Sequence, residues 1–109
     1  MSSSTQLLKG TLDLLILRTL DLQPMHGVAI ADRIHQVTRG TFQVKPGSLF
    51  PALHRLEQEG WIAGQWHQSD EGRRVKAYTL TRAGRRQLAT EKATWQRIVG
   101  AMSQVLDSA

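Results

Sequence analysis

The residues of this chain that could do chemistry are mostly cations and small polar groups. Lys45, Gly47, Ser48, Phe50, Pro51, His54 and Arg55 share one short stretch, and Arg73, Arg74 and Lys76 form a second cluster. Guanidinium and ammonium groups beside hydroxyl and imidazole groups suit recognition of a polyanion. The charges neutralise phosphates, and the shorter groups read polar edges. The whole chain of 109 residues carries a net charge of +5, unevenly spread. Residues 1–44 hold four basic and three acidic groups, 45–86 hold eight and four, and 87–109 hold two of each. From Gly72 to Thr90, Arg73, Arg74, Lys76, Arg82, Arg85 and Arg86 occur without an acid. Such a local basic block is the electrostatic footprint of a polyanion binder, although a charge run alone is often only a solvated surface.

Catalysis has no comparable support. His26, His35, His54 and His67 lack metal-ligand spacing, and no carboxylates cluster around them. The absence of cysteine excludes a disulfide scaffold, an iron–sulfur centre and a thiolate zinc site. There is no G-x-S-x-G, no phosphate-binding glycine loop and no paired acidic site. The expectation is therefore no enzyme, no metal and no cofactor. The apolar run Leu12–Leu17 contains Asp13 and stops at Arg18, too short for a bilayer, and no signal peptide precedes it. The expected compartment is the cytoplasm, with no membrane association.

The elements that must position these residues follow from periodicity. Residues 1–6 are polar and expected to fray. Gly10 to Leu22 reads as a helix, with Leu8, Leu12, Leu15, Ile16, Thr19 and Leu20 at helical spacing. Leu14 and Leu17 lie off that stripe, which marks a central helix apolar on more than one side. Pro24 ends it. A second helix runs from about His26 to Thr38, with Ile30, Ile34 and Val37 inward, and Arg39-Gly40 stops it. Thr41 to Val44 alternates and reads as a short extended piece. The third helix starts near Pro46–Ser48 and runs to Glu59, with Pro51 placed in its first turn and Leu49, Ala52, Leu53 and Leu56 inward.

The period then changes. Trp61-Ile62 through Ser69 and Arg73 to Leu80 read as strands around the turn Ser69-Asp70-Glu71-Gly72. Thr81 is placed to cap a last helix from about Arg82 to Leu106, which Gly84 and Gly100 weaken. The fold class is mainly α with a small β-hairpin: a winged helix-turn-helix over residues 1–81, then a C-terminal dimerisation helix over 82–109. In that layout the third helix enters the major groove and the hairpin is a wing, so Lys45 through Arg55 face base edges while Arg73, Arg74 and Lys76 meet backbone or minor groove.

The last helix has its own logic. Leu88, Trp95 and Met102 are seven apart, as are Ile98 and Val105, with Val99 and Leu106 beside them. This heptad seam is too short to stand alone and long enough to pack against a second copy and the first helix. The core of the winged-helix domain reads as complete without it, which favours a dimer whose interface includes Leu12, Leu15, Leu88, Trp95, Ile98, Val99, Met102, Val105 and Leu106. Trp95 is expected as an interface anchor; the second reading makes it the lining of a pocket for a flat apolar effector.

Five segments, in order, resemble the PadR-like family of transcriptional regulators. They are Leu8-Lys9-Gly10-Thr11-Leu12-Asp13, Pro24-Met25-His26-Gly27, Gly47-Ser48-Leu49-Phe50-Pro51-Ala52-Leu53, Leu56-Glu57-Gln58-Glu59-Gly60-Trp61-Ile62 and Tyr78-Thr79-Leu80-Thr81-Arg82-Ala83-Gly84. The resemblance covers roughly residues 6–105. It implies a cytoplasmic bacterial DNA-binding regulator, usually a repressor, of the compact branch whose single last helix crosses to the partner subunit. In some members a small aromatic molecule bound near that interface releases DNA. Val28 and Phe50 stand where the family often has tyrosine, so no hydroxyl bond carries over at either position, and Arg73 and Arg74 match the family's wing only in character. The leading expectation is a homodimeric repressor on a palindromic operator in double-stranded DNA. The alternative is a winged-helix interaction module whose basic face meets an acidic protein.

Overall fold

The computed structural model describes residues 9–109, so the polar 1–6 stretch and Leu8 of the first-helix stripe lie outside the described residues. Helix α1 (Lys9–Leu22) buries Leu12, Ile16, Leu17 and Leu20, more than one side, as a central helix must. It ends two residues before Pro24. Helix α2 (Gly27–Val37) adds Ile30 and Ile34, and α3 (Pro46–Gln58) adds Leu49, Ala52, Leu53 and Leu56. Strands β2 (Ile62–Gln68) and β3 (Arg74–Leu80) form the hairpin, and α4 (Arg82–Leu106) follows. Ile62, Tyr78 and Leu88 complete one continuous core. Each fully buried leucine or isoleucine contributes about 1.5–3 kcal/mol relative to exposure.

Several expectations are corrected. Met25–His26 is a two-residue strand, β1, which pairs antiparallel with β3 and makes a three-stranded sheet of order β1-β3-β2. Two residues carry no period, so only β3's free edge reveals the strand. Helix α2 accordingly begins at Gly27, with His26 as its extended N-cap. Val37 is exposed, because the helix runs out just as that position turns from the core. Residues 42–45 have no strand partner; Phe42 and Val44 tuck against the core from an irregular loop. Pro51 sits in the second turn of α3, where it cannot donate to the Gly47 carbonyl.

The hairpin turns on Gly72 at φ 80°, with the Ser69 N–H donating to Arg73 O at 2.7 Å and the Arg73 N–H to Ser69 Oγ at 3.2 Å. In β3 the inward set is Lys76, Tyr78 and Leu80; Tyr78 is buried and Thr79 exposed.

The core is not complete without α4. Leu88 lies within it, and the first turns of α4 lock onto the body. The Thr81 hydroxyl donates to the Gly60 carbonyl at 2.6 Å and accepts from the Gly84 N–H at 3.0 Å, the expected cap. The Thr81 N–H donates to the Trp61 carbonyl at 3.1 Å. Gly84 packs so closely on that carbonyl that an added Cβ would overlap it, so Gly84 is a contact point and not merely a weak helical position.

Candidate nucleic-acid interface

Helix α3 sorts its residues by face. With Leu49, Ala52, Leu53 and Leu56 inward, Gly47, Ser48, Phe50, Pro51 and His54 are exposed, and so is Lys45 at the N-cap. Lys45 is extended and makes no side-chain cap bond, and the first turn contains no acid. The positive end of the helix therefore faces solvent with a lysine beside it, an arrangement suited to phosphate. A Cβ at Gly47 would meet nothing within 4 Å. No internal packing demands glycine there, and glycine weakens a helix by roughly 0.5–1 kcal/mol relative to alanine. The missing side chain leaves room for an outside surface to approach the backbone. Phe50 divides its ring: part is exposed, while its edge lies against Gly27, where an added Cβ would come within 3.1 Å of it.

Two of the expected cations are held inside. The Arg55 guanidinium pairs with the Asp13 carboxylate of α1; the arginine side chain is 31% exposed and the aspartate 11%. Lys76 Nζ donates to Glu57 Oε1 of α3 at 2.9 Å, and that bond raises the lysine pKa above its usual 10.5 against an opposing effect of burial. Burial, in turn, raises the Tyr78 hydroxyl above its usual 10.0, partly offset by the nearby Lys76 charge. Arg55 and Lys76 thus fasten α3 to α1 and to the sheet. Each would have to leave a carboxylate to meet a phosphate.

The wing has a different composition from the one its charge count suggests. Asp70 and Glu71 occupy the turn, and Arg73 and Arg74 return from it, both exposed. The Arg74 guanidinium lies 4.9 Å from the Trp66 ring centroid, and Lys76 Nζ lies 5.6 Å from the same ring. An exposed tryptophan thereby orients the wing arginine through cation–π attraction. Trp66 and Glu57 escaped the sequence reading. Strand register could have found Trp66, because Trp66 stands opposite Lys76 and one diagonal step from Arg74.

The expected dimer residues divide as well. Leu12 and Leu88, each 6% exposed, are buried in the chain's own core, a correction that follows from α4 packing beside α1. Leu15 is half-buried. Trp95, Ile98, Val99, Met102, Val105 and Leu106 are between 42% and 77% exposed along the rest of α4. An open groove beside the N-terminus of α3 is lined by Ala31, Asp32, His35, Gln43, Val44, Lys45 and Pro46; Trp95 is not part of it.

A trihelical body, a recognition helix with a polar outer face and a hairpin closing a small sheet define a winged helix-turn-helix protein. The chain belongs to the transcriptional regulator PadR-like family, whose model matches residues 16–90. It is 28% identical to a PadR-like transcriptional regulator from Bacillus cereus, covering 96% of this chain and 100% of that one with a TM-score of 0.81. A PadR family transcription regulator from hypervirulent Clostridium difficile is 33% identical, covering 86% of this chain and 96% of that one, with a TM-score of 0.75. A transcriptional regulator of Mycobacterium tuberculosis is 33% identical over 63 residues, 58% of each chain. The protein is a DNA-binding transcription regulator, not an enzyme. Family membership decides between duplex DNA and an acidic protein in favour of DNA. Among the described residues, no helix is long and apolar enough to cross a membrane.

Proposed function

We propose that the chain is a homodimeric repressor that acts in the cytoplasm, with 1–81 as the DNA-binding unit and 82–109 as the dimerisation helix. The exposed apolar stripe from Trp95 to Leu106 carries the dimer: a surface of this kind on the exposed part of a helix, beyond the turns that pack on the chain's own core, calls for a second copy. In such a dimer each α3 enters the major groove of a palindromic half-site through Lys45, Gly47, Ser48, Phe50, Pro51 and His54. Arg73 and Arg74 meet the backbone or minor groove. Arg55 and Lys76 act one step back, by holding α3 and the wing in register through Asp13 and Glu57. Trp95 anchors the interface; the alternative reading makes it and its mate the lining of a pocket for a flat apolar effector.

The test is fluorescence anisotropy with duplex from upstream of the protein's own coding region, at two salt concentrations, against a scrambled duplex. Tight, salt-sensitive preference for the upstream duplex is expected, and Arg73→Ala should lower the log–log salt slope by about one unit. Equal weak binding to both duplexes, with no change in slope, contradicts the assignment. Transcription in vitro from the bound promoter should fall as the protein is added.

A further inference from the structure

Two histidines without metal-ligand spacing along the chain meet in the fold. His26 Nε2 lies 3.0 Å from His67 Nε2, with ring centroids 5.0 Å apart and planes inclined by 35°. The register explains how. His26 of β1 stands opposite Ala77 of β3, and His67 of β2 stands opposite Val75 of the same strand. Opposed residues share a face, and positions 75 and 77 share one too, so both imidazoles rise from the face opposite buried Tyr78. The small Ala77 side chain lets them close over β3. Both histidines are exposed to solvent.

We infer that this pair is a binding site for a divalent late transition-metal ion, held by the two Nε2 atoms and completed by water. At this distance either one Nε2 turns an N–H toward the other or both turn lone pairs toward a shared cation. An ion about 2.05 Å from each nitrogen would subtend about 94° across a 3.0 Å separation. That angle matches adjacent positions of a square-planar or octahedral ion, so copper(II) and nickel(II) fit better than tetrahedral zinc, which would need the nitrogens about 3.3 Å apart. Among the described residues no group of three or more His, Cys, Asp or Glu could hold a metal, so this is a two-ligand site with open positions. Its location gives it consequence. His26 stands at the N-cap position of α2 and His67 lies in the wing, so an ion there braces the wing against the helix-turn-helix.

Tag-free, chelator-treated full-length protein should be titrated calorimetrically with copper(II), nickel(II) and zinc(II) chlorides. One ion per chain is expected, tightest for copper. The copper-loaded protein should show electron paramagnetic resonance hyperfine structure from two equatorial nitrogens. His26→Gln and His67→Gln should each weaken binding by at least about tenfold, since each removes one of only two protein ligands. Both positions are exposed, and matching melting curves for the ion-free variants confirm that they fold. His35→Gln and His54→Gln should bind as the parent does. No binding at about 100 μM ion, a concentration at which a specific site with a dissociation constant near 1 μM would be nearly full, overturns the proposal. So does binding indifferent to His26→Gln and His67→Gln, or binding carried by His35 or His54.

Discussion

Helices α3 and α4 are both amphipathic, and they use their apolar faces in opposite ways. Every apolar residue on the inner face of α3 is buried within the chain, while Gly47, Ser48, Phe50, Pro51 and His54 on its outer face are exposed. Along α4 burial ends at Leu88, and the apolar stripe continues to Leu106 without intrachain cover. Twenty-five residues make a rod of about 37 Å, which helps stretch the molecule to 60 Å in its longest dimension. In α3, hydrophobicity is a folding device and function lies on the polar side. In α4 past its second turn, the apolar side is itself the surface offered to a partner. Identical residue types thus mean different things according to whether the chain returns to cover them.

Leu53→Ala is the strongest way to sharpen this contrast. It should lower folding stability by about 2–5 kcal/mol, read as a lower urea midpoint at every protein concentration. Ile98→Asp should act differently. Self-association should weaken by about 2 kcal/mol or more, while the ion-free, dilute monomer keeps its far-UV spectrum and melts as the parent monomer does. Sedimentation equilibrium reads the first effect and calorimetry at low concentration the second. If Ile98→Asp associates as strongly as the parent, the contrast between the helices breaks down.

The junction between the two behaviours is Gly84. Gly84→Ala should cost about 1–3 kcal/mol of thermal stability, because the new methyl must push α4 off the Trp61 carbonyl. Asp13→Asn tests the other helix's anchorage. Breaking a buried pair costs about 3–5 kcal/mol, but Arg55 is partly hydrated, so about 1–3 kcal/mol is expected, measured by urea unfolding.

The smallest effect is alkaline. Lys76 and Tyr78 both hold their protons more tightly in the folded chain than their usual values of 10.5 and 10.0. Their contributions are full below about pH 10 and are lost as pH rises through the folded values. Melting temperature should therefore be flat from about pH 8 to 10 and fall beyond it, with a shallower fall in Lys76→Met.

Much of the fold was legible because helices and hairpins repeat locally. The stripe through Ile30 and Ile34, the stripe through Leu49, Leu53 and Leu56, the glycine turn at 72 and the Thr81 cap can each be recognised within a few residues of chain. The polar face of α3 was legible for the same reason. Strand β1 was not, because two residues have no period and exist as a strand only beside β3. The free or committed state of each cation was equally hidden. Arg55 finds its carboxylate 42 positions away and Lys76 finds one 19 away.

By itself the sequence determined the element order, the apolar faces, the basic middle of the chain and the likeness to a family of regulators. These are properties of composition and short-range spacing. Only the tertiary structure decided that Leu12 and Leu88 are buried in the chain's own core. It also decided that Arg55 and Lys76 are fasteners, that Trp66 orients Arg74, and that His26 meets His67 across 41 intervening steps of chain. Each of those depends on which surfaces the fold presses together. Spacing along a chain cannot encode that pairing, because a Coulomb contact or a shared lone-pair site depends on distance in space.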